Sequence, residues 1–455
     1  MSRHAEGRIP STGDINLQLG WPSPSLFPSE SLNLASNAVL SNFSTASSAL
    51  IYGPSLGSIS FRSTLSIWLS KHYYGTNTDI SHNRVYVTSG ASAALAAILS
   101  RFTDPGYTRN IWMVEPTYFL ACPIFQDAGF TGRLRGVPED DDGIDLGFLR
   151  AGLERAEFGR PTTTSAGKGI GTGYPKLYKH LIYCVPTFSN PSGKTMSFSR
   201  REGLVKLARS FDALVVSDDV YDFLRWPGDQ IKPLDTSLGC LPPRLIDIDK
   251  SLDGGNEFGN TVSNGSFSKI VAPGTRVGWL EAAEPFISAM AKVGVTSSGG
   301  GPSHLTSTFM EKMITNGALD KHIAEKLIPT YSSRYHAMMK AIGSQLFPLG
   351  VKITTGGNKD SVGGFFTSLS VPDHLPPTSI LASLALKDQK LKFAYGEMFE
   401  VVGDDGSKTR AEAPGGFGHT LRLCWAWHIE DEIEDGVRRL GNVLRELIAV
   451  SSRMA

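Results

Sequence analysis

Short apolar runs alternate with helical repeats along the first two thirds of the chain. The runs that resemble buried strands are RVYVT (84–88), NIWMVE (110–115), LIYCVP (181–186) and ALVVS (213–217). Helical spacing is seen in SGASAALAAILSRF (89–102) and again after a capping box formed by Ser199 and Glu202. Strand–helix–strand alternation predicts an α/β fold, in which helices flank a large, mainly parallel sheet.

The pattern changes after about residue 302. A long helical stretch follows, and then three strand-like segments, GGFFTSLSVP (363–372), KFAYGEMF (392–399) and TLRLCWAW (420–427). The last helix is amphipathic and repeats Ile433, Val437, Leu440, Leu444 and Leu447. We predict a large domain over 46–302 and a linker helix with a smaller α+β domain over 303–455, which the N-terminal segment 1–45 joins.

Three segments are typical of loops. Residues 160–176 are rich in Thr, Gly and Ser, and residues 251–260 form a second loop-like insert. SSGGGPS (297–303) indicates either a boundary or a close approach of two backbones.

Composition narrows the class of protein. The 455 residues include 44 basic and 44 acidic side chains, so the net charge of zero gives no electrostatic reason to expect nucleic acid or membrane partners. The N-terminus has no apolar signal region, no stretch approaches the length of a membrane span, and the four cysteines form no CxxC pair. We therefore expect a cytoplasmic enzyme.

Polar and aromatic residues follow the predicted strands in order. Gly90, Ala91 and Ser92 open a helix and could seat a phosphate, and Tyr118 could stack on a flat ring. Asn190 follows the third strand in a segment that lacks the first glycine of a P-loop, because Phe188 stands there. Asp218 and Tyr221 follow the fourth strand, where a buried carboxylate needs a partner. Each feature alone also fits a structural role.

The densest cluster is SNGSFSKIVAPGTRVGWL (263–280). Ser266, Ser268 and Arg276 suit a phosphate, and Lys269 between the hydroxyl groups could be a counter-charge or a nucleophile. An SxxK serine hydrolase would need a KTG motif, which is missing. The order of the strand ends describes a phosphorylated pyridine with a lysine at its aldehyde.

With SFSKxxxPGxRxGW after DDVY, and INLQLGWPSPSLFP (15–28) at the start, the chain resembles the fold-type I pyridoxal-phosphate enzymes of the class I/II aminotransferase family. The resemblance covers nearly the whole chain and is greatest to the kynurenine/2-aminoadipate aminotransferase branch. It departs at Ala91, where a hydroxyl residue is common, and at Ser92, where Gln or a similar group is frequent.

The resemblance implies roles for these residues. Lys269 would carry the cofactor as a Schiff base and exchange the Cα proton, Asp218 would pair with the pyridine nitrogen, and Arg422 would bind the substrate carboxylate. The remaining implied roles are the ring hydroxyl for Tyr221 and Asn190, ring stacking for Tyr118, the phosphate for Ala91, Ser92, Ser266, Ser268 and Arg276, and the phosphate of a neighbouring subunit for Tyr52. Tyr221 would be catalytic together with Lys269 and Asp218, and Asn190 would bind the substrate together with Arg422.

The expected function is transamination between an amino acid, 2-aminoadipate-like or aromatic, and a 2-oxo acid, in a homodimer. A pyridoxal-phosphate lyase or substitution enzyme is the alternative, because the same cofactor site serves both. MocR-type regulators share this domain but carry a DNA-binding segment before it, for which the start of the family-like region near Ile15 leaves no room.

Overall fold

Strands and helices alternate through the residues that the computed structural model describes, which are 13–76, 80–158, 167–169, 173–228, 242–355 and 361–454. The strands are β1 Ile15–Asn16, β2 Val85–Thr88, β3 Asn110–Glu115, β4 Leu134–Asp140, β5 Gly143–Ile144, β6 His180–Cys184, β7 Ala213–Asp218, β8 Arg225–Trp226, β9 Thr261–Ser266, β10 Gly278–Glu281, β11 Lys352–Ile353, β12 Val362–Gly363, β13 Phe366–Ser370, β14 Leu391–Lys392, β15 Ala394–Tyr395 and β16 Thr420–Cys424. The α-helices are α1 Ser29–Leu40, α2 Phe43–Leu50, α3 Ile59–Tyr74, α4 Ala91–Phe102, α5 Cys122–Phe125, α6 Leu146–Phe158, α7 Phe198–Ser210, α8 Leu245–Ser251, α9 Glu284–Met290, α10 His304–Thr315, α11 Ala318–His322, α12 Ile328–Gln345, α13 Thr378–Gln389, α14 Asp405–Glu412 and α15 Glu430–Met454.

The large sheet has eight strands in the order β2-β10-β9-β7-β6-β3-β4-β5. Strands β4, β3, β6, β7 and β9 run parallel to one another, whereas β5 is antiparallel to β4 and β10 is antiparallel to both β9 and β2. The expectation of a mainly parallel sheet flanked by helices, with a smaller sheet domain, is confirmed. The parallel strands bring their carboxyl ends to one edge of this sheet.

Both faces of this sheet are buried, which explains its continuous apolar strands. In β7, Leu214 and Val216 belong to one core, and Ala213 and Val215 belong to a second core on the other face. Helix α7 packs Leu204 and other apolar residues into that second core.

Helix α7 differs from the sequence expectation at its start. It begins at Phe198, and Ser197 is the N-cap, because its side chain accepts a hydrogen bond from the backbone N–H of Arg200. Ser199 already lies in the first turn, so the predicted capping box of Ser199 and Glu202 is wrong.

The smaller sheet is antiparallel, with the order β11-β13-β16-β15. Helix α15 buries Ile433, Val437, Leu440 and Leu444 completely, as its periodicity predicts. The segment 392–399 is not one strand: β14 pairs with β1, β15 pairs with β16, and a 3₁₀ turn follows. In 363–372, Gly363 belongs to β12, which pairs with β8 instead of this sheet.

The N-terminal segment lies against the small sheet. β1 runs parallel to β14, and the backbone N–H of Cys424 donates to the carbonyl of Leu17. The proposed boundaries at residues 45 and 302 stay a prediction.

Of the predicted loops, 251–260 folds back so that the N–H of Asn260 donates to Asp249, whereas 159–166 and 170–172 lie outside the described residues. In 297–303, Gly299 has φ +100° and a Cβ there would lie 3.2 Å from the Tyr52 ring, so a side chain approaches this backbone closely, and the expectation of a boundary or of two close backbones stays a prediction. No helix in the described part of the chain is long and apolar enough to cross a membrane.

Candidate active site

A cavity of about 630 Å³ opens at the carboxyl edge of the large sheet, between that sheet, the small sheet and the N-terminal segment. Apart from Tyr52, every residue to which the family resemblance gives a role lines it. These residues are Ala91, Ser92, Tyr118, Asn190, Asp218, Tyr221, Ser266, Ser268, Lys269, Arg276 and Arg422.

One end of the cavity is built for an anion. Helix α4 begins at Ala91, so its first N–H groups and the positive end of its dipole face this end. The Arg276 guanidinium donates to the carbonyls of Ser89 at 2.7 Å and Pro273 at 3.0 Å, and the Ser266 hydroxyl donates to Ser268 at 2.9 Å. Gly90 has φ +93°, and a Cβ there would lie 2.4 Å from Arg276 Nη2. Glycine is therefore needed for the guanidinium to reach this position.

Asp218, at the end of β7, is the carboxylate that faces the cavity. Its Oδ2 accepts a hydrogen bond from the Tyr183 hydroxyl at 2.8 Å, while its buried Oδ1 has no hydrogen-bond partner among the described residues. Burial raises the pKa of Asp218 to about 6, against the lowering effect of the Tyr183 hydrogen bond. The unpartnered oxygen is available to a hydrogen-bond donor inside the cavity.

The neighbouring Asp219 does not line the cavity. Successive side chains of a strand point to opposite faces, and Asp219 turns into the core, where Ser217 and Ser263 donate to its Oδ2. Asp218 thus faces the cavity, whereas Asp219 faces the core.

Lys269 extends into the middle of the cavity from the turn after β9. Its ammonium group donates to the carbonyl of Gly20 at 2.9 Å. Burial lowers the pKa of Lys269 to about 8, although nearby Cys424 and Asp218 act in the opposite direction. A substantial fraction of this amine is therefore neutral at mildly alkaline pH.

Arg422 approaches the cavity from β16, opposite Ser368 on β13 and Ala394 on β15. It is buried in a strand that has a neighbour on each side, so it is not a surface arginine on an edge strand. Its Nη1 donates to Asn190 Oδ1 and its Nη2 donates to the Gln18 carbonyl, both at 2.6 Å. Burial lowers the pKa of the guanidinium, and Nε has no partner among the described residues.

The aromatic residues frame the space between these groups. Tyr118, just after β3, is half-buried, and burial together with the charge of Asp218 raises its pKa. Tyr221 is buried and packs its ring against Phe365 and Phe366, with centroids 5.5 and 5.9 Å away.

These residues fit pyridoxal phosphate. The cofactor has a phosphate, a flat ring, a ring nitrogen that can carry a proton and an aldehyde. The cavity supplies a helix N-terminus with Arg276 for the phosphate, the unpartnered Oδ1 of Asp218 for an N–H donor, and an amine on Lys269. The cavity thus supplies groups that match the cofactor's phosphate, ring nitrogen and aldehyde.

Several residues that contact the site residues or line the cavity are not indicated by the sequence. Gln18 and Gly20 act through backbone carbonyls, for which residue identity gives no signal. Tyr183 lies within the apolar run LIYCVP, and strand alternation indicates that it points to the same side as Leu181. The other unassigned lining residues include Trp21, Phe119, Leu120, Phe366 and Lys392.

Tyr52 is 84% exposed in the single chain and lies beside Gly299. The structure does not place it in the cavity of its own chain.

Comparison with known proteins gives matches to one enzyme family, the aminotransferases of class I and II. The model of the family described as aminotransferase class I and II matches residues 23–358. An uncharacterized protein of Saccharomyces cerevisiae, YER152C, is 34% identical over 451 residues, which cover 95% of this chain and 97% of that protein. Aromatic-amino-acid aminotransferase 1 of Thermococcus litoralis is 30% identical, over 96% of this chain and 90% of its own.

Among solved structures, a multiple substrate aminotransferase from Thermococcus profundus superposes with a TM-score of 0.74. It is 28% identical, and the match covers 99% of this chain and 96% of that one.

Proposed function

Because the chain belongs to the class I and II aminotransferase family, we propose that the cavity is the active site of a pyridoxal-phosphate-dependent transamination centred on Lys269. An aminotransferase moves an amino group between an amino acid and a 2-oxo acid. The family and its named relatives favour this reaction over the lyase alternative. The observation that carries the proposal is the convergence of Lys269, Asp218 and Arg422 on one cavity.

The cofactor, when bound, supplies an electron-withdrawing ring that stabilises negative charge at the Cα atom of an attached amino acid. In our proposal Asp218 accepts a hydrogen bond from the protonated ring nitrogen through Oδ1. Tyr118 covers one face of the ring, Tyr221 and Asn190 lie at its hydroxyl group, and Arg276 with Ser266 and Ser268 holds the phosphate. Ala91 and Ser92 add N–H groups at the start of α4.

Lys269 is the acid–base group of the proposed reaction. With a pKa of about 8 it has an accessible neutral form, which can take the Cα proton and later return a proton. Its contact with the Gly20 carbonyl holds the amine inside the cavity, where it would meet the aldehyde of a bound cofactor.

Arg422 orients the substrate in this proposal. A carboxylate accepts two parallel hydrogen bonds from a guanidinium, which fixes the direction of the Cα–H bond. In this structure Nη1 donates to Asn190 Oδ1 and Nη2 donates to the Gln18 carbonyl, so an incoming carboxylate would replace neutral acceptors with a charged one.

The substrate side chain would lie against Trp21, Phe119 and Leu120, which form an apolar wall of the cavity. This wall supports aromatic amino acids as one substrate class. A relative with that named activity, the enzyme of Thermococcus litoralis, is consistent with this assignment.

A half-reaction tests the proposal. Protein loaded with pyridoxal phosphate is mixed with single amino acids, without an acceptor, and its visible absorption is followed. One equivalent of a donor should remove the absorption, and a 2-oxo acid should restore it. Many turnovers without an acceptor, with release of ammonia or a side-chain leaving group, would establish the lyase instead.

We also propose a homodimer in which Tyr52 reaches the phosphate of the partner's site. The tyrosine and the neighbouring Phe43, Leu50 and Ile51 are largely exposed in the single chain, which leaves an apolar surface available to a second subunit. The buried free thiols of Cys122, Cys184 and Cys424 support the cytoplasmic location that we propose.

Complementation tests the sharing of sites. Lys269→Ala and Tyr52→Ala chains are purified separately and mixed after partial unfolding. If subunits share sites, each mixed dimer contains one intact site out of two. Because about half of the dimers in an equimolar mixture are mixed, the mixture should recover about a quarter of the wild-type activity. A mixture that stays as inactive as its components, although mass measurement shows mixed dimers, would refute the role of Tyr52.

A further inference from the structure

Lys392 is a fourth cationic side chain in the cavity. Among the described lining residues the other cations are Lys269, Arg276 and Arg422, and Asp218 is the carboxylate. The proposed function uses those three for the aldehyde, the phosphate and the α-carboxylate. Lys392 has no such use, and its ammonium group forms no ion pair with a residue that the structure describes.

The backbone of Lys392 is fixed beside the N-terminal segment. It pairs with Asn16 across β14 and β1, and its carbonyl accepts a hydrogen bond from the N–H of Leu17 at 2.8 Å. Two residues later, Ala394 lies directly opposite Arg422. Lys392 and Arg422 both line the cavity, and the short chain distance from Lys392 to Ala394 keeps the two cations near each other.

Polar groups flank the lysine. Asn16 and Gln18 line the same part of the cavity, and Asn16 Oδ1 is used by the N–H of Gln18 at 3.0 Å, which leaves its amide N–H₂ group as a donor. The apolar wall of Trp21, Phe119 and Leu120 completes the cavity. The cavity thus offers apolar surface together with hydrogen-bond donors and the positive charge of Lys392.

We propose that Lys392 is a specificity-determining residue that binds the second carboxylate of an amino-acid substrate with a long acidic side chain. The inference rests on the proposed function, since it assumes that Arg422 holds the α-carboxylate. An aromatic substrate would use the apolar wall and leave Lys392 in solvent, so one cavity would accept both classes.

We expect Lys392 to make a moderate contribution to the affinity for acidic ligands. Lys392 is exposed, and a solvent-screened ion pair contributes far less than a buried one. Partial exclusion of water by the bound side chain strengthens the pair, so we expect loss of the charge to weaken acidic ligands about tenfold.

Equilibrium binding isolates this contribution from catalysis. Adipate and 3-phenylpropionate, which lack the amino group and cannot react, are titrated by calorimetry into protein loaded with pyridoxal phosphate. Lys392→Gln should weaken adipate about tenfold and leave 3-phenylpropionate within about twofold, whereas Lys392→Arg should retain most of the adipate affinity. Lys387→Gln, an exposed lysine on α13 outside the cavity, is the matched control and should change neither.

Half-reaction rates with L-2-aminoadipate and L-phenylalanine should follow the same pattern. Equal weakening of both ligands by Lys392→Gln would make the lysine a structural residue, and unchanged adipate binding would remove it from substrate recognition. Either result with normal phenylalanine turnover overturns this inference and leaves the proposed function intact. Wild-type protein that binds the cofactor on Lys269 but reacts with no amino acid refutes the proposed function, and this inference with it.

Discussion

Replacing Asp218 with Asn should stabilise the cofactor-free protein at neutral pH while removing most of its affinity for pyridoxal phosphate. Burial raises the pKa of Asp218 from its ordinary 3.8 to about 6 and leaves Oδ1 without a partner. The charged carboxylate is therefore a cost to the folded chain until a cationic ligand arrives.

The direction and size of the stability change follow from the coupling between proton binding at Asp218 and folding. A raised carboxyl pKa means that the folded state binds more protons than the unfolded state between pH 3.8 and about 6. The destabilisation of the folded state by the charged carboxylate is therefore absent below pH 3.8 and fully present above about pH 6. At 1.36 kcal/mol per pKa unit, a shift of about two units corresponds to about 2–3 kcal/mol at pH 8. Asp218→Asn keeps the shape of the side chain and an acceptor for Tyr183.

Urea unfolding of cofactor-free protein measures this prediction. Asp218→Asn should exceed the wild type by about 2–3 kcal/mol at pH 8, and the gain should shrink as the pH falls towards about 5. Asp388→Asn, on the exposed side of α13, should show no such trend. With the cofactor added, the wild type should gain far more stability than Asp218→Asn. A variant that is less stable than the wild type by the same amount at every pH would refute the argument, because the carboxylate would then be satisfied by the protein itself.

Three further predictions concern the phosphate-binding end of the cavity, the pKa of Lys269 and the binding of the substrate carboxylate by Arg422. Gly90→Ala introduces a Cβ 2.4 Å from Arg276 Nη2 at φ +93°, so the dissociation constant for pyridoxal phosphate in fluorescence titrations should rise at least tenfold. The control is Gly415→Ala, which also has a positive φ, +70°, but open space around the added Cβ, so it should lower stability without changing cofactor affinity. The rate of cofactor uptake by cofactor-free protein, followed by stopped-flow absorbance, should rise with pH through the Lys269 pKa of about 8, and a midpoint near 10.5 would contradict the burial argument. Arg422→Ala should lower kcat/KM by about 10²-fold or more with little change in cofactor affinity, and Arg422→Lys should lose less; equal loss of cofactor binding would make Arg422 structural.

The sequence could predict the cavity because of a property of parallel sheets. The carboxyl ends of β3, β6, β7 and β9 meet at one edge, so the residues after each apolar run, from Tyr118 to Lys269, were expected to converge. The sequence could not show how β14 and β15 divide, because both are two-residue strands that carry no periodicity.

The contacts that complete the site depend on tertiary structure. The carbonyls of Gln18 and Gly20 reach Arg422 and Lys269 only because β1 pairs with β14, a pairing that joins residues far apart in the chain. The same pairing brings Lys392 to the cavity. Backbone acceptors and cross-strand neighbours of this kind leave no residue pattern, whereas Arg422 was found through its resemblance to a family motif.

The identity of the lysine that carries the cofactor tests the account most directly. Protein loaded with pyridoxal phosphate is reduced with borohydride, digested and examined by mass spectrometry. The account predicts that the visible absorption is lost and that the reduced adduct lies on the peptide containing Lys269, while Lys269→Ala yields no adduct there. An adduct on Lys392 or another lysine, with Lys269 unmodified, would contradict it.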